Sequence, residues 1–139
     1  MEKEFEQISV ASGFMKHNGG LLFRAINEHE YQFKTKITEN HLNAAGITHG
    51  GFIAAFVDAG AGTAAHRAAN GSPCVTISLE LKFISAVHLG QELLGNTKIQ
   101  KKTKSMIFLT CELTARNKIV ATASGVWKIL KLSGAGPGG

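Results

Sequence analysis

Residues 50 to 69, "GGFIAAFVDAGAGTAAHRAA", constrain the fold more than any other stretch of the chain. They are rich in alanine, contain no proline, and carry a single ionisable side chain, Asp58, before His66. Alanine is the strongest helix former, so the run predicts a helix from Gly50 to about Asn70, closed by "NGSP". At the usual rise per residue it would be roughly 30 Å long. Ile53, Phe56 and Val57 share one stripe, but the other faces are alanine and glycine. A helix apolar nearly all round has to be covered on several sides. Gly60 and Gly62 each cost about 1 kcal/mol against alanine, which predicts a neighbouring backbone at close range.

The cover has to come from strands. "LLFRAIN" and "EYQFKTKIT" precede the helix, the second alternating Tyr31, Phe33 and Thr35 with Gln32, Lys34 and Lys36. Beyond the helix the pattern has period two. In "CVTISLELKF", Val75, Ile77, Leu79, Leu81 and Phe83 oppose Thr76, Ser78, Glu80 and Lys82. "QELLGNTKIQ", "MIFLTCELTA" and "KIVATASGVWKIL" follow, the last two joined by a tight turn at Arg116–Lys118. A short helix is expected over residues 2 to 11. The order predicts an α+β domain, an antiparallel sheet of five or six strands wrapped around one long central helix. One domain over residues 1 to 132 is expected, then a disordered glycine-rich tail over 133 to 139.

Composition narrows the function. With 139 residues, 44% hydrophobic and 18% charged, the chain has an ordinary globular balance. A net charge of +5 suits an anionic partner. Nucleic acid is not expected, because no basic stripe with interleaved aromatics is present. Lys101, Lys102 and Lys104 cluster where a hairpin should turn, and are expected to be solvated. Cys74 and Cys111 fit no disulfide or metal spacing and read as small hydrophobes of a reducing compartment. No metal is expected, since His41 and His49 have no acid or thiol partner at ligand spacing. The amino-terminal residues lack a signal-peptide layout, and charge interrupts the apolar helix, so a cytoplasmic protein without a membrane span is expected. There is no P-loop, no GxGxxG after a strand and no GxSxG elbow.

What remains is "HLNAAGITHGGFIAAFVDAG", residues 41 to 60. Gly50 and Gly51 open the helix, where unpaired N–H groups and the positive end of the dipole can hold an anion or a developing oxyanion. Asp58 can activate water or attack directly. The two features lie eight residues apart, roughly 12 Å along one helix, too far to act on one carbonyl. A two-fold dimer with antiparallel central helices would bring Gly50 of one chain to Asp58 of the other. The alternative is a buried structural aspartate. His66 and Arg67 lie more than two turns away, which argues against an intrachain pair.

The stretch resembles the signature of the hotdog-fold acyl-CoA thioesterases, in the 4-hydroxybenzoyl-CoA thioesterase-like superfamily. It is most similar to the phenylacetate-pathway and thioesterase superfamily member 2 types. The pattern is H-x-N-x-x-G-x-x-H-G-G-x₆-D, and "SLELKFISAVHLG" and "IVATASGVWKIL" continue the likeness over roughly residues 20 to 130. The resemblance implies that Asp58 is the general base or nucleophile and that the Gly50 N–H polarises the thioester carbonyl. It implies that Asn43 helps hold the thioester or the water, that His49 orders the loop, and that Thr76 is a hydroxyl residue beside the acid. Strict alternation opposes the last assignment, because it places Thr76 with Glu80 and Lys82.

The implied reaction is hydrolysis of an aromatic or medium-chain acyl-CoA to the free acid and CoA. CoA would be part of the substrate, and no cofactor is implied. A homodimer is the minimum, and the family implies a homotetramer. An unperturbed aspartate, with a pKa of about 3.9, is a weak base at neutral pH; burial is expected to raise that value. The alternative is a non-catalytic acyl-CoA-binding hotdog protein, a sensor or carrier. A hotdog hydratase would need an Asp–His pair in a differently arranged loop, which the sequence lacks.

Overall fold

The computed structural model describes residues 3–131. The expected tail over 133–139 lies outside them. In chain order the elements are β1 (Glu6–Ile8), α1 (Gly13–His17), β2 (Leu21–Ala25), β3 (Glu30–Lys36), a 3-10 turn (Glu39–His41) and α2 (Gly50–Ala68). Then come β4 (Cys74–Phe83), β5 (Glu92–Lys102), β6 (Met106–Ala115) and β7 (Lys118–Ile129). The strands form one antiparallel sheet in the order β1-β2-β3-β5-β6-β7-β4. This is the α+β hotdog arrangement, a sheet curled over one long helix.

Two expectations need correction. The described residues form seven strands rather than five or six, and the addition is β1. It also replaces the helix expected over residues 2 to 11. Gln7 pairs with Leu22 in the sheet, and the Phe5 ring is held under Arg24 and Lys34, each 4.3 Å from its centroid. Sheet pairing outweighs the helix propensity of a glutamate-rich segment. A short helix does form, but later, at Gly13–His17.

The long helix matches its expected span. It buries Phe52, Ile53, Phe56, Val57, Gly60, Ala61, Ala64 and Ala65 against the sheet. The opposite side is not enclosed: Ala54, Ala55, Ala59 and Gly62 are half-buried and Asp58 is exposed. Here the sheet covers only one side of the helix. The β5–β6 hairpin turns where the lysine cluster predicted, but Lys102 is not merely solvated. Its Nζ donates to the Ala68 carbonyl at 2.8 Å, satisfying one of the open carbonyls at the helix end. Arg116 and Asn117 both adopt positive φ, 51° and 62°, as a two-residue hairpin turn with right-handed twist requires.

The helix glycines answer to rings, not to a neighbouring backbone. A Cβ on Gly60 would lie 2.2 Å from the Phe33 ring, and one on Gly95 of β5 would lie 2.5 Å from it. Phe33 is fully buried between these two glycines and against Phe56, with ring centroids 4.9 Å apart. It has nowhere to retreat. Gly60→Ala therefore overpacks the core, a change that costs about 1–3 kcal/mol or more and exceeds the gain of about 1 kcal/mol in helix propensity. A lowered midpoint in urea unfolding, with the slope unchanged, checks this.

Candidate active site

The loop before α2 shows why its residues are of these types. Asn43 Oδ1 accepts from the N–H groups of Ala45 (2.9 Å) and Ile47 (3.2 Å), an Asx-type turn that shapes "NAAGI". Leu42 and Thr48 bridge across the loop's base, and the Thr48 hydroxyl donates to the Val87 carbonyl at 2.7 Å. His49 is the N-cap of α2: its Nδ1 accepts from the Gly51 N–H at 2.8 Å. A Cβ on Gly51 would lie 2.9 Å from that same Nδ1, so the capping ring occupies the space that a side chain would need. Capping satisfies Gly51 and leaves the Gly50 N–H with no acceptor among the described residues. Beside Gly50 stands the half-exposed ring of Phe83, 3.5 Å from where its Cβ would be. His-Gly-Gly thus means a cap, room for the cap, and one free donor.

Asp58 stands two turns further along the open face of α2. Its Oδ1 accepts from the Thr76 hydroxyl at 2.6 Å. Strict alternation along β4 would forbid this contact, and the structure removes the objection. Thr76 pairs with Trp127 and Ser78 with Val126, so Ile77 is the extra residue of a β-bulge. A bulge flips the side-chain parity that follows it. Thr76, Leu79 and Leu81 therefore all face the helix, with Trp127, Gly125 and Ala123 opposite them.

A model of the thioesterase superfamily matches residues 45–122, more than half of the chain. The chain belongs to the thioesterase superfamily. Over 126 residues it is 29% identical to the Pseudomonas aeruginosa protein named "Putative esterase PA0474", covering 90% of this chain and 94% of that one. It is 31% identical over 88 residues to human acyl-coenzyme A thioesterase 13, covering 62% of this chain. The match spans 63% of the length of that human relative. Zebra fish thioesterase superfamily member 2 has the same fold, with a TM-score of 0.79 and 22% identity over 87% of this chain and 90% of that one. So does a Streptococcus mutans protein whose structure was solved bound to acetyl-CoA: TM-score 0.77, 17% identity, covering 90% and 97%.

Within this thioesterase-superfamily chain the expected residues form two groups. Asn43, His49 and Gly50 share the loop and helix start, while Asp58 and Thr76 form a second pair. Among the described residues no hydrogen bond joins the two groups. Clefts of about 140 to 510 Å³ open elsewhere on the described surface, lined by neither Gly50 nor Asp58. The expectation that Asp58 is buried is corrected: its side of the helix is open. The cysteines offer no alternative nucleophile, since burial pushes the Cys111 thiol up to about 11 and also raises Cys74. No group of three His, Cys, Asp or Glu side chains able to hold a metal occurs among the described residues.

His41, considered in the sequence only as a metal ligand, is a structural residue. It is 2% exposed and stacks on Phe52 with centroids 3.9 Å apart. Its Nδ1 accepts from the Thr38 N–H at 3.0 Å, so Nε2 must carry the proton it donates to the Asn18 carbonyl, 2.7 Å away. Its own carbonyl accepts from the His49 N–H. The aromatic Phe52 one turn into the helix was the available sequence signal for this stack. His49→Ala removes the cap from Gly51 and is expected to cost about 1 kcal/mol of stability. Faster hydrogen exchange at the Gly51 amide, with α2 otherwise protected, is the measurement.

Proposed function

We propose that the protein hydrolyses acyl-CoA thioesters in sites built between two copies of the chain. Gly50 of one chain would supply the donor and Asp58 of the other the carboxylate. The observation that carries this reading is the pairing of one free N–H at a helix start with one hydroxyl-anchored carboxylate, both on the uncovered side of α2. Superfamily membership and relatives named as acyl-CoA thioesterases support the substrate class. Beside the same face lies β4, one of the two edge strands of the sheet among the described residues. It exposes Val75 and Ile77, and Phe83 and Ile84 follow at its end, each about half accessible. An edge this long and apolar invites pairing with another strand. A two-fold partner on β4 would cover it and set the open faces of the helices together.

In this mechanism the thioester carbonyl oxygen accepts from the Gly50 N–H of one chain. The Asp58 carboxylate of the other takes a proton from water, and the resulting hydroxide adds to the carbonyl carbon. The negative charge that develops on oxygen is held by the Gly50 N–H and the helix dipole behind it. Collapse breaks the carbon–sulfur bond. The CoA thiolate leaves and recovers the proton from Asp58, giving free acid and CoA thiol. In the nucleophilic variant Asp58 attacks first and water then cleaves the mixed anhydride. Thr76, by donating to one carboxylate oxygen, holds the other toward the reacting centre. Asn43 acts by shaping the loop, its Oδ1 being committed to two backbone amides while its amide N–H₂ remains available to substrate. Aromatic and medium-chain acyl groups both suit a channel beside Ala54, Ala55 and Ala59. The homotetramer implied by the family would pair two such dimers, each already complete in its sites.

Asp58→Asn is expected to lower kcat by at least about a thousandfold while leaving the fold and CoA binding intact, measured as free-thiol release from benzoyl- and octanoyl-CoA. Binding without release by the native protein would instead identify an acyl-CoA sensor or carrier. Thr76→Val keeps the shape and removes the donor. A loss of about 10- to 100-fold in kcat with KM little changed is expected, the range of one hydrogen bond to a charged group. Light scattering over a dilution series tests the assembly, since activity should fall as the dimer dissociates.

A further inference from the structure

A second cleft, away from the Asp58–Thr76 pair, has the character of an anion site. It lies where α1 turns into β2 and meets the end of β3 and the 3-10 turn, and has a volume of about 510 Å³. Lys16, His17, Lys34 and Lys36 line it, and no carboxylate does. Lys34 reaches Glu92 at 3.7 Å. Lys16 and Lys36 have no carboxylate within 4 Å among the described residues.

The contrast with the cleft at the other end of α2 is informative. That one is also lined by basic groups, but a carboxylate, Glu28, lines it too, and all but Lys101 have a partner: Arg67 pairs with Glu6, His29 with Glu28, and Lys102 donates to the Ala68 carbonyl. Cations left uncompensated around one concavity concentrate its positive potential.

The cleft is also firmly built. Gly19 and Gly20 take positive φ, 94° and 67°, and a Cβ on Gly20 would lie 2.4 Å from Val10. Only glycine lets the chain turn this tightly beneath β1. On the other side the His41 ring, locked between Phe52 and the Asn18 carbonyl, fixes the 3-10 turn against the end of α1. The cations therefore project from a scaffold held by contacts within the chain.

We propose that this cleft binds the phosphate groups of a phosphorylated small molecule, a phosphomonoester or pyrophosphate of nucleotide size. Lys16 and Lys36 supply the charge, with Lys34 and His17 at the sides. Two sources share this chemistry: the phosphorylated end of a CoA substrate, or a separate phosphorylated ligand. The binding itself does not rest on the thioesterase reading, because it is measured without turnover.

The test is isothermal titration of 3′,5′-adenosine bisphosphate, and separately of inorganic pyrophosphate, into the native protein and Lys16→Ala/Lys36→Ala. Both lysines are exposed, so the variant should fold. Saturable binding that weakens at least about tenfold in the variant is the expected result. No binding by the native protein, or equal binding by both, overturns the proposal. Kinetics then assign the source. If the site holds the CoA phosphates, the variant raises KM for an acyl-CoA but not for the corresponding acyl-N-acetylcysteamine, which has no phosphate. If the ligand is separate, KM for both substrates is unchanged while the phosphate affinity is lost.

Discussion

A helix as apolar as α2 must be covered, and a single sheet covers only the side bearing Phe52, Phe56, Val57 and their neighbours. The other side is made of Ala54, Ala55, Ala59 and Gly62, small residues that neither repel a partner nor fill a cavity of their own. Asp58 stands in the middle of that strip. Burial of apolar surface is favourable by about 25 cal/mol per Å², so a surface of this composition gains by meeting another like it. The same uncovered face carries the acid. Stability of the assembly and chemistry of the site would then be decided by one contact.

The helix start shows how few residue types satisfy the local demands. His49 caps Gly51, and Gly51 has to be glycine because the imidazole sits where its Cβ would be. With the second amide satisfied, the first is the one left without an acceptor among the described residues. Behind it, the His49 N–H is tied to the His41 carbonyl, and His41 is locked by stacking and by both ring nitrogens. The donor is therefore held by a chain of hydrogen bonds leading back into the core. Preorganisation of this kind matters because a donor that must reorient during reaction loses much of its effect.

Most strand spans were legible in the sequence because period two persists over ten residues, as in "CVTISLELKF" and "MIFLTCELTA", and the long helix because a proline-free, alanine-rich run of that length favours helix. The motif in 41–58 pointed to the residues that the structure places at the helix start and beside the acid. Three features were not legible. The bulge at Ile77 adds one residue without changing the alternating pattern, so parity alone sent Thr76 to the wrong face. The pairing of β1 depends on β2, which lies more than ten residues away, while the local composition favours helix. The openness around Asp58 depends on how far the sheet curls, and an apolar helix face reads the same whether its own sheet or a second chain covers it.

The bulge also explains how a hydroxyl reaches the acid without disturbing the core. Beyond it, Leu79 and Leu81 must face α2, and the alternation from them toward the start of β4 would present Ile77, not Thr76. Inserting one residue leaves Ile77 outward on the edge strand, 51% exposed, and turns Thr76 toward Asp58. Edge strands accommodate bulges most readily because only one neighbour's ladder is interrupted. β4 is such a strand, paired with β7 alone. The local break in the ladder and the 2.6 Å hydrogen bond are thus one structural event. One Asp58 oxygen is occupied by Thr76, and the second has no hydrogen-bond partner among the described residues.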